Sequence, residues 1–275
     1  MSQGYKMVLI DLDGTTLTDD KRITARTQKI LEHLDAHGIP VVIATGRAIY
    51  SIRDLFRHIS LRSPVIALNG SIIYKGIRGN VWEYEEFGTE LLTEILDTLK
   101  KRTEIENILL EGIGEYYVKK YDQEIEETFV HYRHSLPVEF HSEKVPEPVT
   151  NLLILSREKK DEIHDWLNER LAGKIKMIKT SWHWLEGMRE YVNKGSAMKK
   201  VADLYRIPLH QVVAFGDEWN DLEMLEEAGL SIAMENGSEE AKARADLIAP
   251  SNDREGVAVM LEEIFADLLV ETKYA

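Results

Sequence analysis

Asp11 and Asp13 stand two positions apart at the end of a four-residue apolar run, Met7-Val8-Leu9-Ile10, with Gly14 directly behind them. Three further polar clusters have a comparable setting. Thr45-Gly46-Arg47 follows the apolar stretch 39–44, Asp217 with Asn220 and Asp221 follows 211–215, and Lys194 stands where a helix should open. Carboxylates that converge from several strand ends repel one another unless a cation sits among them. An all-oxygen ligand set favours Mg2+, which binds a few carboxylates and keeps waters for a phosphate. A lysine at a helix start, a threonine hydroxyl and glycine backbone N–H groups are phosphate-binding devices. Together these groups imply phosphoryl transfer. Asp-x-Asp-Gly by itself is also the composition of a polar turn after a strand; the rest of the chain decides between the two readings.

The elements that must position these groups alternate regularly. The run 7–10 reads as a buried strand of a parallel sheet. Thr24 is a candidate N-cap for a helix through Ile30, Leu31 and Leu34, which Gly38 closes. A second buried strand spans 39–44, a helix runs through Ile52, Leu55 and Phe56, and a third strand, 65–68, ends in Asn69-Gly70. This β-α-β-α-β order with polar residues at each strand's C-terminal end predicts an α/β fold, a doubly wound, Rossmann-like parallel sheet. From about Val81 the pattern changes. Strand-like pieces at 72–74, 116–119, 138–141 and 152–155 alternate with helices at 91–99 and 161–171, punctuated by Pro137, Pro146 and Pro148. The doubly wound pattern then resumes with a helix over 195–204, strands at 211–215, 230–234 and 246–248, a short helix over 239–245 and a final one over 257–269. The expected organisation is a core domain over 1–80 and 189–275 with a smaller α+β domain inserted over 81–188.

Composition removes several alternatives. The chain has 275 residues, 44% hydrophobic and 30% charged, enough for one large domain or two smaller ones. A formal net charge of −14 argues against a broad nucleic-acid or anionic-membrane surface. With no Cys, disulfides, thiol catalysis and Cys-ligated zinc are excluded. No signal-peptide pattern and no bilayer-length apolar stretch is present, so a cytoplasmic setting is expected.

The clusters in order resemble the haloacid dehalogenase superfamily of phosphatases, and within it the Cof-type branch with a large α+β cap. The matching stretches are Asp11-Leu12-Asp13-Gly14-Thr15, Ala44-Thr45-Gly46-Arg47, Asn69-Gly70, Asn193-Lys194-Gly195 and Gly216-Asp217-Glu218-Trp219-Asn220-Asp221. Ile232-Ala233-Met234-Glu235-Asn236-Gly237 and Asn252-Asp253-Arg254-Glu255-Gly256-Val257-Ala258 match as well. The likeness covers both core segments closely, and the insert only in position and length. It implies that Asp11 is the nucleophile forming an aspartyl-phosphate, and that Asp13 is the general acid and then the base. The Mg2+ ligands implied are Asp11, Asp217, the backbone carbonyl of Asp13, and Asp221 directly or through a water. Thr45 and Lys194 would hold the phosphoryl oxygens, Gly46 would lend backbone N–H groups, and Asn220 would support the phosphate or Lys194. Asn69 and Gly70 would line the mouth. Arg47 is open between a phosphate contact and a surface ion pair.

Glu218 and Gly237 depart from the branch pattern, the first expected to face solvent and the second to matter only for local backbone. In the insert, Trp182-His183-Trp184 and His131-Tyr132-Arg133-His134 are candidates for reading the leaving group, set against the plainer reading of half-buried packing aromatics. The expected partner is a small soluble phosphate ester such as a sugar phosphate, handled by a monomer or small homo-oligomer. Two rivals stay open: transfer to an acceptor other than water, as in phosphomutases, and a phospho-metabolite-binding regulator without turnover.

Overall fold

The strand β1 (Met7–Ile10) presents four side chains with no solvent exposure. A strand buried on both faces must lie inside a sheet that is covered on each side. Full burial of each such apolar side chain contributes roughly 1.5–3 kcal/mol. The computed structural model describes residues 4–123, 125–127, 137–140, 148–180 and 183–270. The chain divides into two units, one formed by Met1–Glu83 with Asn193–Ala275 and the other by Tyr84–Val192.

In the first unit, β1 is followed by α1 (Ala25–Ala36), β2 (Val41–Ala44), α2 (Ile49–Leu55), β3 (Val65–Ala67), β4 (Ile72–Tyr74) and β5 (Val81–Tyr84). Thr24 caps α1 by accepting the Thr27 N–H, and Gly38, at φ +83°, ends it. The second unit holds α3 (Thr89–Leu99), β6 (Asn107–Gly112), β7 (Tyr116–Val118), β8 (Val138–Glu139), β9 (Val149–Leu155), α4 (Lys160–Arg170), β10 (Ile175–Lys179) and β11 (Trp184–Arg189). The chain then returns to the first unit with α5 (Lys194–Tyr205), β12 (Val212–Gly216), α6 (Leu222–Glu227), β13 (Leu230–Met234), α7 (Glu239–Arg244), β14 (Leu247–Ala249) and α8 (Gly256–Ile264).

The first unit's sheet has the order β14-β13-β12-β1-β2-β3-β4-β5. Its first six strands are parallel, and β4 runs antiparallel to β3. Side chains of α5, α6 and α7 cover one face, where Met198, Val201, Met224 and Ala241 meet Leu9, Val42 and Ala214. On the other side α1 and α8 pack together and against β2 and β14. Because β1 lies between β2 and β12, its C-terminal end is flanked by the ends of both neighbours. Ligand sites of parallel sheets lie at such ends.

The second unit is a six-stranded sheet in the order β10-β11-β9-β6-β7-β8, antiparallel except for the β7–β8 pair. Leu92, Ile95 and Leu99 from α3 and Ile163 and Leu167 from α4 pack on Leu110, Leu152 and Ile154 in one cluster. Both helices show the 3.6-residue apolar spacing that the sequence carries.

Several elements differ from the sequence reading. The units divide at Glu83/Tyr84 and Val192/Asn193 rather than at 80/81 and 188/189. The strand at 72–74 belongs to the core sheet, as a hairpin return on β3 with Val65 opposite Tyr74. β5, β6, β10 and β11 have no counterpart in the sequence reading; charged residues interrupt the alternation in β5, β10 and β11. The final helix breaks at Phe265 into α8 and a last turn over Ala266–Val270. Among the described residues no helix is long and apolar enough to cross a membrane.

Candidate active site

Asp11 is the first residue past β1, and its N–H donates to the Phe215 carbonyl of β12 at 3.1 Å. This continues the β1–β12 ladder by one step and fixes the backbone from which the carboxylate projects. Lys194, the first residue of α5, is completely buried. Its Nζ donates to Asp11 Oδ1 and to Asp221 Oδ1, each at 2.6 Å. Asn193 caps α5 through a reciprocal pair with Ser196, so the backbone that launches the lysine is held at both its N–H and its side chain.

Asp217 and Asp221 arrive together from the end of β12. Asp221 Oδ2 accepts the N–H groups of Asp217 and Glu218 at 2.9 and 3.1 Å, closing a tight turn that carries Asp217 forward. Thr15 Oγ1 donates to Asp217 Oδ1 at 2.8 Å. Gly14 has φ +80°, and a Cβ placed there would lie 2.1 Å from Asp217 Oδ2. Only glycine allows both that turn and that approach.

Ligand atoms of Asp11, Asp217 and Asp221 lie within 4.8 Å of one another, and all three residues are buried. When all three carboxylates are ionised, the single ammonium of Lys194 cannot balance them. Burial, with Lys194 opposing and Asp221 and Asp217 adding, holds the Asp11 carboxyl well above its usual range. Burial and the neighbouring Asp221 push Asp217 up to about 7. Burial pulls the Lys194 ammonium down, but Asp11 and Asp221 together outweigh it and hold the group charged above its ordinary range. An all-oxygen pocket whose carboxyls are held neutral or uncompensated without a further cation is a donor set that fits a hard divalent cation.

Asp13 stands apart from that triad. Arg47 grips its carboxylate with Nε at 2.5 Å and Nη2 at 2.6 Å, and Lys21 Nζ adds a contact at 2.8 Å. Partial burial raises the Asp13 carboxyl, yet the hydrogen bonds from Arg47 and Lys21 prevail and lower it to about 2. Arg47 is therefore an ion-pair partner of Asp13, one of the two roles left open for it.

The loops after β2 and β3 are laced together. Thr45, at the end of β2, is buried, and its hydroxyl accepts the Arg47 N–H at 3.1 Å. The N–H groups of Leu68 and Asn69 donate to the carbonyls of Arg47 and Thr45 at 3.2 and 3.0 Å. Leu68 and Asn69 adopt φ +50° and +54°, and asparagine tolerates that region better than leucine does. Asn69 Oδ1 accepts from Asn220 Nδ2 at 3.0 Å, so two residues read from the sequence as substrate groups bond each other. Gly46 passes the same amide, with a Cβ there 3.2 Å from Asn69 Oδ1. Gly70, at φ +107°, leaves no room for a Cβ beside the Asn193 carbonyl.

The structure thus gathers Asp11, Lys194, Asp217 and Asp221 around one point and seats Asp13 with Arg47. It pairs Asn220 with Asn69 and holds Thr45 and Gly46 beside that pair. Lys194, read from the sequence as a phosphate holder, is a buried counter-ion to two carboxylates. Lys21 was missed by the sequence reading; a lysine in a polar turn carries no signal there. Thr15 stands in the matched motif, and its hydrogen bond to Asp217 gives it a part that the motif does not imply. Glu218 is exposed, as expected. Gly237 matters for more than local backbone, since a Cβ there would sit 2.7 Å from the Asp217 carbonyl. In the second unit, His183 is exposed and Trp184 half-buried in β11. Trp182 and His131-Tyr132-Arg133-His134 lie outside the described residues.

The sequence model of the haloacid dehalogenase-like hydrolases matches residues 8–261. The chain belongs to that family. It is 30% identical over 264 residues to the 5-amino-6-(5-phospho-D-ribitylamino)uracil phosphatase YitU of Bacillus subtilis, covering 94% of this chain and 97% of the relative. It is 28% identical to YbjI of Escherichia coli, a phosphatase named for the same substrate, covering 94% and 96%. A haloacid dehalogenase-like hydrolase from Bacteroides thetaiotaomicron superposes with a TM-score of 0.81 at 25% identity, covering 95% and 100%. TM0651 from Thermotoga maritima gives 0.80 at 30% identity, covering 94% and 97%. The chain is an enzyme, a hydrolase of phosphoric monoesters.

Proposed function

We propose that this phosphatase is Mg2+-dependent, works through an aspartyl-phosphate on Asp11, and acts on a small phosphorylated polyol or sugar-like metabolite. The observation that carries the mechanism is the buried Asp11, Asp217 and Asp221 cluster with its single ammonium. Asp11 and Asp217 would hold the metal through their carboxylates and Asp13 through its carbonyl. Asp221, whose oxygens already accept from Lys194 and two backbone N–H groups, orients the site instead of ligating. When bound, Mg2+ offsets the excess charge of the pocket and of the incoming phosphoryl group.

Lys194 opposes the burial that raises the Asp11 carboxyl and aims it through a 2.6 Å hydrogen bond. Asp11 attacks phosphorus, the bond to the leaving oxygen breaks, and a proton on Asp13 passes to that oxygen. In the second half Asp13 takes a proton from water, the water oxygen joins phosphorus, and the bond to Asp11 breaks. As held by Arg47 and Lys21, Asp13 is an ionised carboxylate suited to that second half. The proton that Asp13 gains from water in the second half is the one it gives to the leaving oxygen of the next turnover.

The leaving-group reading rests on relatives named for a ribitylamino-uracil phosphate. The second unit, as a cap that excludes water, would select it. A reducing cytoplasm and no nucleic-acid or membrane partner fit a chain with no Cys and net charge −14. The test is inorganic phosphate release from a panel of sugar, polyol, nucleotide and aryl phosphates, with Mg2+ and with EDTA. Metal-dependent release that Asp11→Asn abolishes is expected. Release that persists in EDTA or in Asp11→Asn refutes the mechanism, and turnover only with an added acceptor favours the phosphotransferase.

A further inference from the structure

Two stretches that stand out in the sequence have no part in the chemistry above: Glu235-Asn236-Gly237 after β13, and Asn252-Asp253 after β14. Both reach back to the loop that follows the nucleophile. Asn236 Nδ2 donates to the Gly14 carbonyl at 2.7 Å, while Asn236 Oδ1 accepts the Asn252 N–H at 2.9 Å. Asn252 is buried, and its Nδ2 donates to the Leu17 carbonyl at 2.9 Å and to Asp19 Oδ1 at 3.0 Å. Asp253 Oδ1 accepts the Asp19 N–H at 2.9 Å.

We propose that Asn236, Asn252 and Asp253 form a latch that positions the loop carrying Asp13, Thr15 and Lys21 for the reaction. The inference rests on the phosphatase reading above. The loop from Leu12 to Arg22 contains no helix or strand, only turns and a single bridge between Asp13 and Leu17. Its front presents three working contacts: Asp13 to Arg47, Thr15 to Asp217, and Lys21, at φ +60°, to Asp13. Its back is pinned at Gly14, Leu17 and Asp19 by the three latch residues. A backbone without a ladder of its own takes its position from such side-chain anchors.

The anchors are specific to the amide. Asn236 bonds an acceptor with one end and a donor with the other, so an aspartate there sets an oxygen against the Gly14 carbonyl. An aspartate at 252 faces both the Leu17 carbonyl and the Asp19 carboxylate with oxygen. The turn that delivers Asn252 is itself fixed: Glu255 has φ +56°, and a Cβ on Gly256 would lie 1.9 Å from the Pro250 carbonyl. The latch therefore runs from a rigid turn at one edge of the sheet to the centre of the site. These are positioning residues; none of them touches the reacting atoms.

The experiment compares wild type with Asn236→Asp and Asn252→Asp in Mg2+, measuring kcat and KM on a chromogenic aryl phosphate, melting temperature, and amide hydrogen exchange. Misplacement of reacting groups is expected to lower kcat about tenfold with KM within about twofold. Melting temperatures should stay near wild type, and exchange should quicken at residues 14–21 alone. Adding Asp19→Asn to Asn252→Asp restores a donor–acceptor match and should recover part of the lost kcat. The proposal is overturned if kcat stays within twofold in both variants, or if activity falls only in step with lost folded protein. Asn236→Asp, at an exposed position, keeps the test valid if Asn252→Asp fails to fold. A wild type that releases no phosphate refutes the phosphatase reading instead. The exchange pattern at 14–21 then still decides whether the latch exists, and unchanged exchange overturns it.

Discussion

Replacing Lys194 by methionine removes the only cation placed inside the acid cluster among the described residues while preserving most of its buried volume. The lysine spends two 2.6 Å hydrogen bonds on Asp11 and Asp221 and has no exposure to solvent. Removing one partner of a buried ion pair costs about 3–5 kcal/mol, because the remaining charge is left uncompensated. At roughly 2–4 °C per kcal/mol for chains of this size, the melting temperature should fall by about 10 °C. The loss should depend on pH in a defined sense. Asp11 is already raised above its unfolded value by burial, and Lys194 is the main influence holding it down. A carboxyl whose folded pKa exceeds its unfolded one lends stability at low pH and loses it as pH rises past the unfolded value. The variant's deficit should therefore be small near pH 4 and grow toward pH 8. Excess Mg2+ should offset part of it by occupying the same acid cluster. Phosphate release should drop at least about a hundredfold, as expected when a preorganised charge at the reacting centre is lost. Scanning calorimetry across pH and a phosphate-release assay provide the readouts. A melting temperature within 2 °C of wild type at pH 8, or kcat within threefold, refutes the reasoning.

Three further outcomes follow from the geometry. Arg47→Gln removes the two shortest contacts to Asp13, so the Asp13 titration midpoint, followed by carboxyl-carbon NMR, should rise from about 2 toward the ordinary value of about 4. Stability that Asp13 lends above its unfolded pKa, and that wild type loses only as pH falls toward 2, should then be lost at higher pH; an unmoved midpoint rejects Arg47 as the cause. Gly14→Ala forces both a left-handed alanine and a 2.1 Å clash with Asp217 Oδ2, so Mg2+ affinity by titration calorimetry should fall at least about tenfold. Gly237→Ala presses on the Asp217 carbonyl at 2.7 Å without a positive φ, and should weaken Mg2+ by a smaller factor of about threefold. Equal effects of the two glycine substitutions would contradict the ranking.

The parts of this molecule that the sequence made legible are those where one local rule fixes the outcome. Four consecutive apolar residues before Asp11 have no stable place except a doubly covered parallel strand, and the same holds at β2 and β12. Thr24 and Gly38 bracket α1 by capping chemistry alone. What the sequence left dark depends on pairing between distant strands. β11 reads Trp-Leu-Glu-Gly-Met-Arg and becomes a strand only because β9 and β10 flank it. In the site, residue types named the participants but not their partners. The choice of Arg47 for Asp13, and of Asn220 for Asn69, is set by loop geometry after β1, β2, β3 and β12 that no spacing encodes. Lys194 showed as a helix-start lysine, and only its complete burial reveals a counter-ion.

The Asp11–Lys194 pair spans 183 positions, with the whole second unit between its members. A ribosome-bound chain that has reached Val192 has already made Asp11, Asp13 and Thr45. It lacks Lys194, Asp217 and Asp221, and β1 has β2 beside it but an open edge where β12 will go. Such an edge invites pairing with other chains. The second unit, contiguous in sequence, is finished while that edge is still bare. Synthesis order therefore makes nucleophile and counter-ion latecomers to one another, and a message truncated anywhere before codon 212 yields a half-sheet with no working site. Folding of the first unit and assembly of its chemistry are one event, timed by the last third of translation.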